Sequence, residues 1–315
     1  MNISVVIPLL NERESLVELT DSIVNVMRLY DFSYEIIFID DGSSDNSWEI
    51  IQQISQSNEN VKAIKFQRNY GKSQALHVGF EVCNGDVVFT MDADLQDDPR
   101  EIPEMYDLIK SNNYDLVSGW KKKRFDSLIF KNIPSKIFNF AARMTSGIKL
   151  NDFNCGLKAY KKSVVKSINV YGQMHRYIPI LAKNEGFTKI GEKIVNHKPR
   201  KHGKTKFGPS RFLHGFLDLL TVWFISRFAR RPMHLFGSLG LVMILTGLIF
   251  AIYLGIDKLF LNPVGRLITE RPEFFISLVT MIIGSQFFSM GFIGELMLKN
   301  AHRKPQYQVS KKINL

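Results

Sequence analysis

Two stretches free of Asp, Glu, Lys and Arg, Leu235 to Ile256 and Phe274 to Ile293, limit what this chain can become more than any other feature. At about 1.5 Å of rise per residue, each is long enough to cross a hydrocarbon layer of about 30 Å as a helix. Inside lipid a single segment satisfies its own backbone polar groups only as a helix. The competing reading, a pair of buried core helices, needs uncharged runs of a length uncommon in soluble domains. A two-helix transmembrane hairpin over 233–298 is therefore expected.

Flanking charge orients that hairpin. Arg227, Arg230 and Arg231 precede the first run, and Lys299, Arg303, Lys304, Lys311 and Lys312 follow the second, so both ends are expected on the cytoplasmic side. The connector balances Lys258, Arg266 and Arg271 against Asp257, Glu270 and Glu273. The N-terminus opens directly on a strand pattern, with neither a charged n-region nor a cleavage site, and reads as no signal peptide. Residues 299–315 are expected to form a cytoplasmic tail, disordered after about Lys304.

About 230 residues precede the first apolar run, enough for one large α/β domain with a full core. Ile3-Ser4-Val5-Val6-Ile7-Pro8 is a β-branched run ended by proline, and Leu16, Leu19, Ile23 and Val26 then recur at helical spacing. A second strand, Glu35 to Ile39, runs into Asp40-Asp41-Gly42-Ser43, and a helix carrying Trp48, Ile50, Ile51 and Ile54 follows. A third, Val61 to Phe66, leads through Arg68-Asn69-Tyr70-Gly71-Lys72 into a helix from about Ser73 to Cys83. Strands alternating with helices predict a mostly parallel, doubly wound sheet.

The fourth strand, Val87 to Thr90, ends at Met91-Asp92-Ala93-Asp94-Leu95-Gln96. Open α/β sheets bind ligands at such carboxyl ends. Two hard carboxylates one residue apart, with a carboxamide two further on, suit Mg²⁺ or Mn²⁺ holding a diphosphate, because these ions complete their shell with phosphate oxygens and water. Asp-x-Asp by itself also describes a solvated acidic turn, so its neighbours decide. Asp40 and Asp41, again at a strand end, can accept hydrogen bonds from a ribose or a base.

Val6-Ile7-Pro8-Leu9-Leu10-Asn11-Glu12, Asp40-Asp41-Gly42-Ser43, Arg68-Asn69-Tyr70-Gly71-Lys72 and Asp92-Ala93-Asp94-Leu95-Gln96 occur in one order and at one spacing. Together they resemble the family 2 glycosyltransferases of GT-A fold, and within them the polyprenyl-phosphate glycosyltransferases. Asp152-Phe153-Asn154-Cys155-Gly156 resembles that group's acidic acceptor-side segment, and His197-Lys198-Pro199-Arg200 through Lys206-Phe207 its basic loop near the membrane. The fold class implied is a Rossmann-like, mostly parallel GT-A domain over 1–209, then a juxtamembrane amphipathic helix over 210–232 and the two transmembrane helices.

The resemblance implies inverting transfer of a hexose from a UDP-glucose- or GDP-mannose-type donor to undecaprenyl or another polyprenyl phosphate, on the cytoplasmic face of the inner membrane. It implies metal ligation by Asp92, Asp94 and Gln96, and catalytic roles for Asp94 and Asp152, the latter orienting the acceptor phosphate's surroundings or the sugar hydroxyls, or serving as a base where one is required. Pro8, Leu10, Asn11, Glu12, Asp40, Asp41, Lys72, Asp92 and Ala93 would bind the donor, and Lys121, Lys131, Arg200 and Lys206 the acceptor phosphate. Where many relatives carry arginine after Val117-Ser118-Gly119-Trp120, Lys121 lacks bidentate geometry. A homo-oligomer is also expected, a tetramer among the forms. The runner-up is transfer directly to a neutral membrane lipid such as diacylglycerol.

Because a phosphate monoester has its second pKa near 6, the acceptor is already mostly ionised at neutral pH and needs no dedicated base. The remaining tasks are electrostatic: stabilising the departing diphosphate and screening two phosphates from each other. From Lys193 to Arg231 ten basic residues face one acid, Asp218, and this stretch supplies most of the net charge of +11. Phe212, Phe216, Leu219, Leu220, Trp223 and Phe224 recur there at helical spacing, as in a helix lying among lipid headgroups. A nucleic-acid surface would need no membrane spans and is set aside. Cys83 and Cys155 are expected in the core, His77, His175 and His302 in structural roles, and Gln286 and Glu295 in packing or headgroup contacts.

Overall fold

The computed structural model describes residues 1–122, 139, 140, 142–144, 146–172, 174–198, 224, 232–300 and 309–313. They belong to two compact units, Met1–Trp223 with Pro305–Leu315, and Phe224–Lys304.

In the first unit the apolar runs become β1 (Ile3–Leu9), β2 (Tyr34–Asp40), β3 (Val61–Phe66) and β4 (Val87–Thr90), buried along nearly their whole length as strands covered on both faces must be. Between them lie α1 (Leu16–Leu29), α2 (Ser47–Ser57) and α3 (Lys72–Val82). α1 buries Leu16, Leu19, Ile23 and Val26, the residues whose spacing predicted it. The chain continues through α4 (Ile102–Lys110), β5 (Leu116–Trp120), β6 (Lys158–Lys161) and β7 (Ile190–Ile194). Cys83 and Cys155 are both buried, as expected.

With β8 (Val309–Ile313) the described residues form a sheet of eight strands in the order β7-β5-β6-β4-β1-β2-β3-β8. β1 is parallel to β2 and β4, and β3 to β2, while β6 runs antiparallel to β4 and β5. The last strand corrects an expectation. Instead of a tail disordered throughout, Val309–Ile313 pairs antiparallel with β3, Ala63 opposite Ile313 and Lys65 opposite Lys311. Without it β3 would be an open edge of unpaired N–H and C=O groups, and Ile313 packs against the core besides.

In the second unit, helices Pro232–Ile256 and Pro272–Asn300 pack against each other. Candidate membrane spans run over Pro232–Leu261 and Pro272–Met297, and in each 17% of the most apolar window is buried inside the structure. Helices of a soluble core would be mostly buried, so this low burial agrees with two candidate membrane helices. Close contact is made by small residues: a Cβ added at Gly240 would lie 2.5 Å from the Gly284 carbonyl, and one at Gly284 2.8 Å from the Gly240 carbonyl. In the connector the Arg271 guanidinium donates to Asp257 at 2.5 Å. Gln286 and Glu295 lie exposed on the hairpin surface.

Candidate active site

Strand order reverses beside β1. The chain lays β2 and β3 on one side of it and β4 on the other, which opens a crevice at the carboxyl ends where such sheets bind ligands. Val6 of β1 lies opposite Thr90 of β4. Pro8 and Asp92, each two residues further on, line one pocket there with Lys72, Asn154, Gly156 and Arg176.

Asp92 is the electrostatic centre of that pocket. Its Oδ1 carries the Lys72 ammonium, from the first residue of α3. Burial would push the carboxyl upward, but Lys72 and then Lys121 outweigh it and hold Asp92 well below the usual carboxylate range. The chain passes so close that a Cβ on Gly156 would lie 2.6 Å from the Asp92 Oδ2, so any larger residue there would have to displace the carboxylate. Ala93 is buried, Leu95 adopts a left-handed φ of 60°, and between them Asp94 Oδ1 accepts the Gln96 N–H at 3.2 Å.

The expected donor-side acids turn inward. Asp40 is fully buried and accepts the Ser43 N–H at 2.8 Å. Asp41 accepts the Tyr70 N–H at 2.7 Å and the Gly71 N–H at 2.9 Å, thereby shaping the loop that delivers Lys72. Burial pushes Asp41 up to about 6 against those two hydrogen bonds. Asn11, at φ 53°, joins the same turn: its N–H donates to Ser43 Oγ and its Oδ1 accepts the Ser44 N–H, each at 2.9 Å. The Glu12 N–H donates to Ser47 Oγ at 3.0 Å, and Leu10 lies half-buried just before it.

Of the residues expected to meet the acceptor, Lys121 directs its ammonium to buried Asp97, 2.8 Å away. Burial alone would lower its pKa, but Asp97 reverses the direction and keeps it charged. Asp152 is 1% exposed, and its Oδ1 accepts the Asn154 N–H at 3.0 Å, closing the turn that carries Gly156 past Asp92. The basic segment begins against the carboxylate loop. Asp97 bridges His197 antiparallel, and the Lys198 N–H donates to the Gln96 carbonyl at 2.9 Å. Lys193, the first of its cations, is already paired with Glu101 and Glu104. Lys131, Arg200, Lys206 and all of the amphipathic segment 210–232 except Phe224 and Pro232 lie outside the described residues.

Sequence reasoning missed three basic pocket residues, Lys158, His175 and Arg176. Lys158 is buried, contacts the Cys155 carbonyl, and has its pKa lowered by that burial. His175, assigned only a structural role, lines the pocket beside Arg176, its Nδ1 3.1 Å from Ser73 Oγ. Burial first, then Lys72 and Arg176, hold His175 well below the ordinary histidine range, so its ring is neutral at pH 7. The short turn of helix Met174–Tyr177 presents both residues, and no local pattern ties it to carboxylates some eighty positions upstream. Among the described residues no group of three or more His, Cys, Asp and Glu side chains forms a metal cage.

Comparison with known proteins places these features in a lineage. Residues 4–168 match the model of glycosyl transferase family 2. The chain is 35% identical over 314 residues to dodecaprenyl-phosphate galacturonate synthase of Rhizobium johnstonii, covering 98% of this chain and 92% of that protein. It is 34% identical over 313 residues to undecaprenyl-phosphate 4-deoxy-4-formamido-L-arabinose transferase of Pseudomonas syringae pv. syringae, covering 98% and 90%. Glucosyl-3-phosphoglycerate synthase of Mycobacterium tuberculosis, solved with Mn²⁺, uridine diphosphate and glucosyl-3-phosphoglycerate, shares the GT-A fold at a TM-score of 0.55 and 18% identity, over 71% of this chain and 79% of that one. A match that spans more than half of the sequence, and relatives that run its full length, make the chain a glycosyltransferase of family 2.

Proposed function

We propose that the protein transfers a sugar from a nucleoside-diphosphate donor to a polyprenyl phosphate, at the cytoplasmic face of the inner membrane. The observation that carries this reading is Asp92, the first carboxylate of the Asp92-Ala93-Asp94 loop, lining the crevice pocket beside β1 together with Lys72 and Arg176. Two relatives named for polyprenyl-phosphate sugars support it, as do two candidate membrane spans in a chain that must meet a lipid acceptor.

The donor set fits a divalent ion. Asp92, Asp94 and the Gln96 carboxamide offer hard oxygens, and too few for a closed cage, as suits Mg²⁺ or Mn²⁺ shared with substrate phosphates. When bound, such an ion supplies charge that stabilises the departing nucleoside diphosphate. The protein's own groups do the rest. Lys72 and Arg176 add positive charge where the diphosphate develops its negative charge, in a pocket partly closed to water. Neutral His175 can donate or accept a hydrogen bond without adding charge. Asp152, occupied with the Asn154 N–H, keeps the Gly156 turn against Asp92 and orients the acceptor side. The ionised acceptor oxygen attacks the anomeric carbon opposite the leaving group in one in-line step, which inverts that centre. Arg200 and Lys206 are assigned to the lipid phosphate.

Purified protein in detergent, given undecaprenyl phosphate and a panel of UDP-glucose, GDP-mannose and a nucleotide-linked galacturonate, should yield a lipid-linked sugar of inverted configuration with one donor. A product on diacylglycerol instead would overturn the acceptor assignment, and activity undiminished in excess EDTA would overturn the metal.

A further inference from the structure

We propose that Lys121 is a positioning residue: its ammonium, held on Asp97, fixes the carboxylate loop and the root of the basic segment, and does not bind the acceptor phosphate. A lysine that captures a lipid phosphate must bring charge that no neighbouring carboxylate already neutralises. The Lys121 side chain is 12% exposed, that of Asp97 is fully buried, and 2.8 Å separates their charges. Asp97 stands where three parts of the site meet. Its Oδ2 lies 3.5 Å from the Asp92 N–H, its backbone bridges His197, and the Lys198 N–H donates to the carbonyl of the preceding Gln96. On the lysine side, the Trp120 carbonyl accepts the Val195 N–H at 3.1 Å, so the end of β5 is tied to the same outgoing chain. One buried ion pair thus joins the strand that precedes Lys121, the loop that carries Asp92 and Asp94, and the segment that leads to Arg200.

The chemistry of buried pairs supplies a test that separates the two roles. Removing one partner strands an uncompensated charge in the interior, whereas replacing both can be nearly neutral. Lys121→Met should therefore lower Tm by several degrees and raise the donor KM by about tenfold, with the acceptor KM changing less than about threefold. The double variant Lys121→Met with Asp97→Asn should recover most of both losses, because the stranded carboxylate is gone and Asn retains an acceptor for the Asp92 N–H.

The kinetic arm rests on the donor and acceptor named above; the thermal arm needs no substrate. A wild-type protein that transfers nothing would defeat the functional reading alone. A double variant that melts no higher than Lys121→Met would overturn the pairing itself. An acceptor KM raised by Lys121→Met and not recovered in the double variant would return Lys121 to the lipid phosphate.

Discussion

Asp92 and Asp94 are one residue apart and stand in different surroundings, Asp92 under the Lys72 ammonium and Asp94 turned to the Gln96 N–H. If Asp94 presents charge to the donor, Asp94→Asn should leave Tm unchanged and reduce transfer by at least about 10²-fold, as when a preorganised charge contact is lost. Near-normal turnover would remove it from the reaction. Asp41 supports a prediction about pH. Its carboxyl is pushed up to about 6 from an ordinary 3.8, so the folded state holds the proton more tightly than the unfolded chain does. That contribution to stability is full below about pH 4 and is lost as pH rises through about 6, amounting to about 3 kcal/mol at most. Urea unfolding followed from pH 4 to 7.5 should show this decline in the wild type and a flatter profile in Asp41→Asn. Equal slopes would place the titration elsewhere.

At the scale of elements, the strand–helix alternation was legible because each period is set locally, by β-branched runs and by apolar residues three and four apart. The long helices were legible from their missing charges. How closely those helices approach was not, since a glycine in an apolar run carries no mark of what it faces. Gly240 and Gly284 lie against each other's backbone, and a side chain at either must push the helices apart. Gly240→Leu should accordingly destabilise the hairpin by about 1–3 kcal/mol, the usual range for overpacking, without altering the catalytic domain's own unfolding transition. Unfolding in detergent, with separate probes in the two units, tests this. A hairpin transition that does not move would show that the helices tolerate wider spacing.

For the whole molecule, the flanking arginines and lysines predict that the chain enters and leaves the membrane on the cytoplasmic side. In a variant with Cys83 and Cys155 replaced, a cysteine at exposed Gly265 in the connector should react with an impermeant thiol reagent added to intact cells. A cysteine at exposed Glu59, in the loop before β3, should react only after lysis. The reverse pattern would overturn the orientation and move the donor site away from the compartment where nucleotide sugars are made.

Motif order and hydropathy alone determined the fold class, the two candidate membrane helices, the carboxylate loop and the family resemblance, because those signals are local or repeat at a fixed period. Tertiary structure decided what each charged side chain meets. Asp41 and Asp152 look like open ligand carboxylates in the sequence, yet both accept backbone N–H groups and hold turns in place. Lys121, read as a phosphate contact, lies on Asp97, and His175 enters the pocket on a turn of helix remote in sequence from the carboxylates. β8 follows the same rule: five residues at the end of the chain become a strand only because β3 leaves an edge to pair with. A charge or a hydrogen-bonding edge acquires its role from its partner, and partners this distant in sequence are chosen by the packing of the sheet.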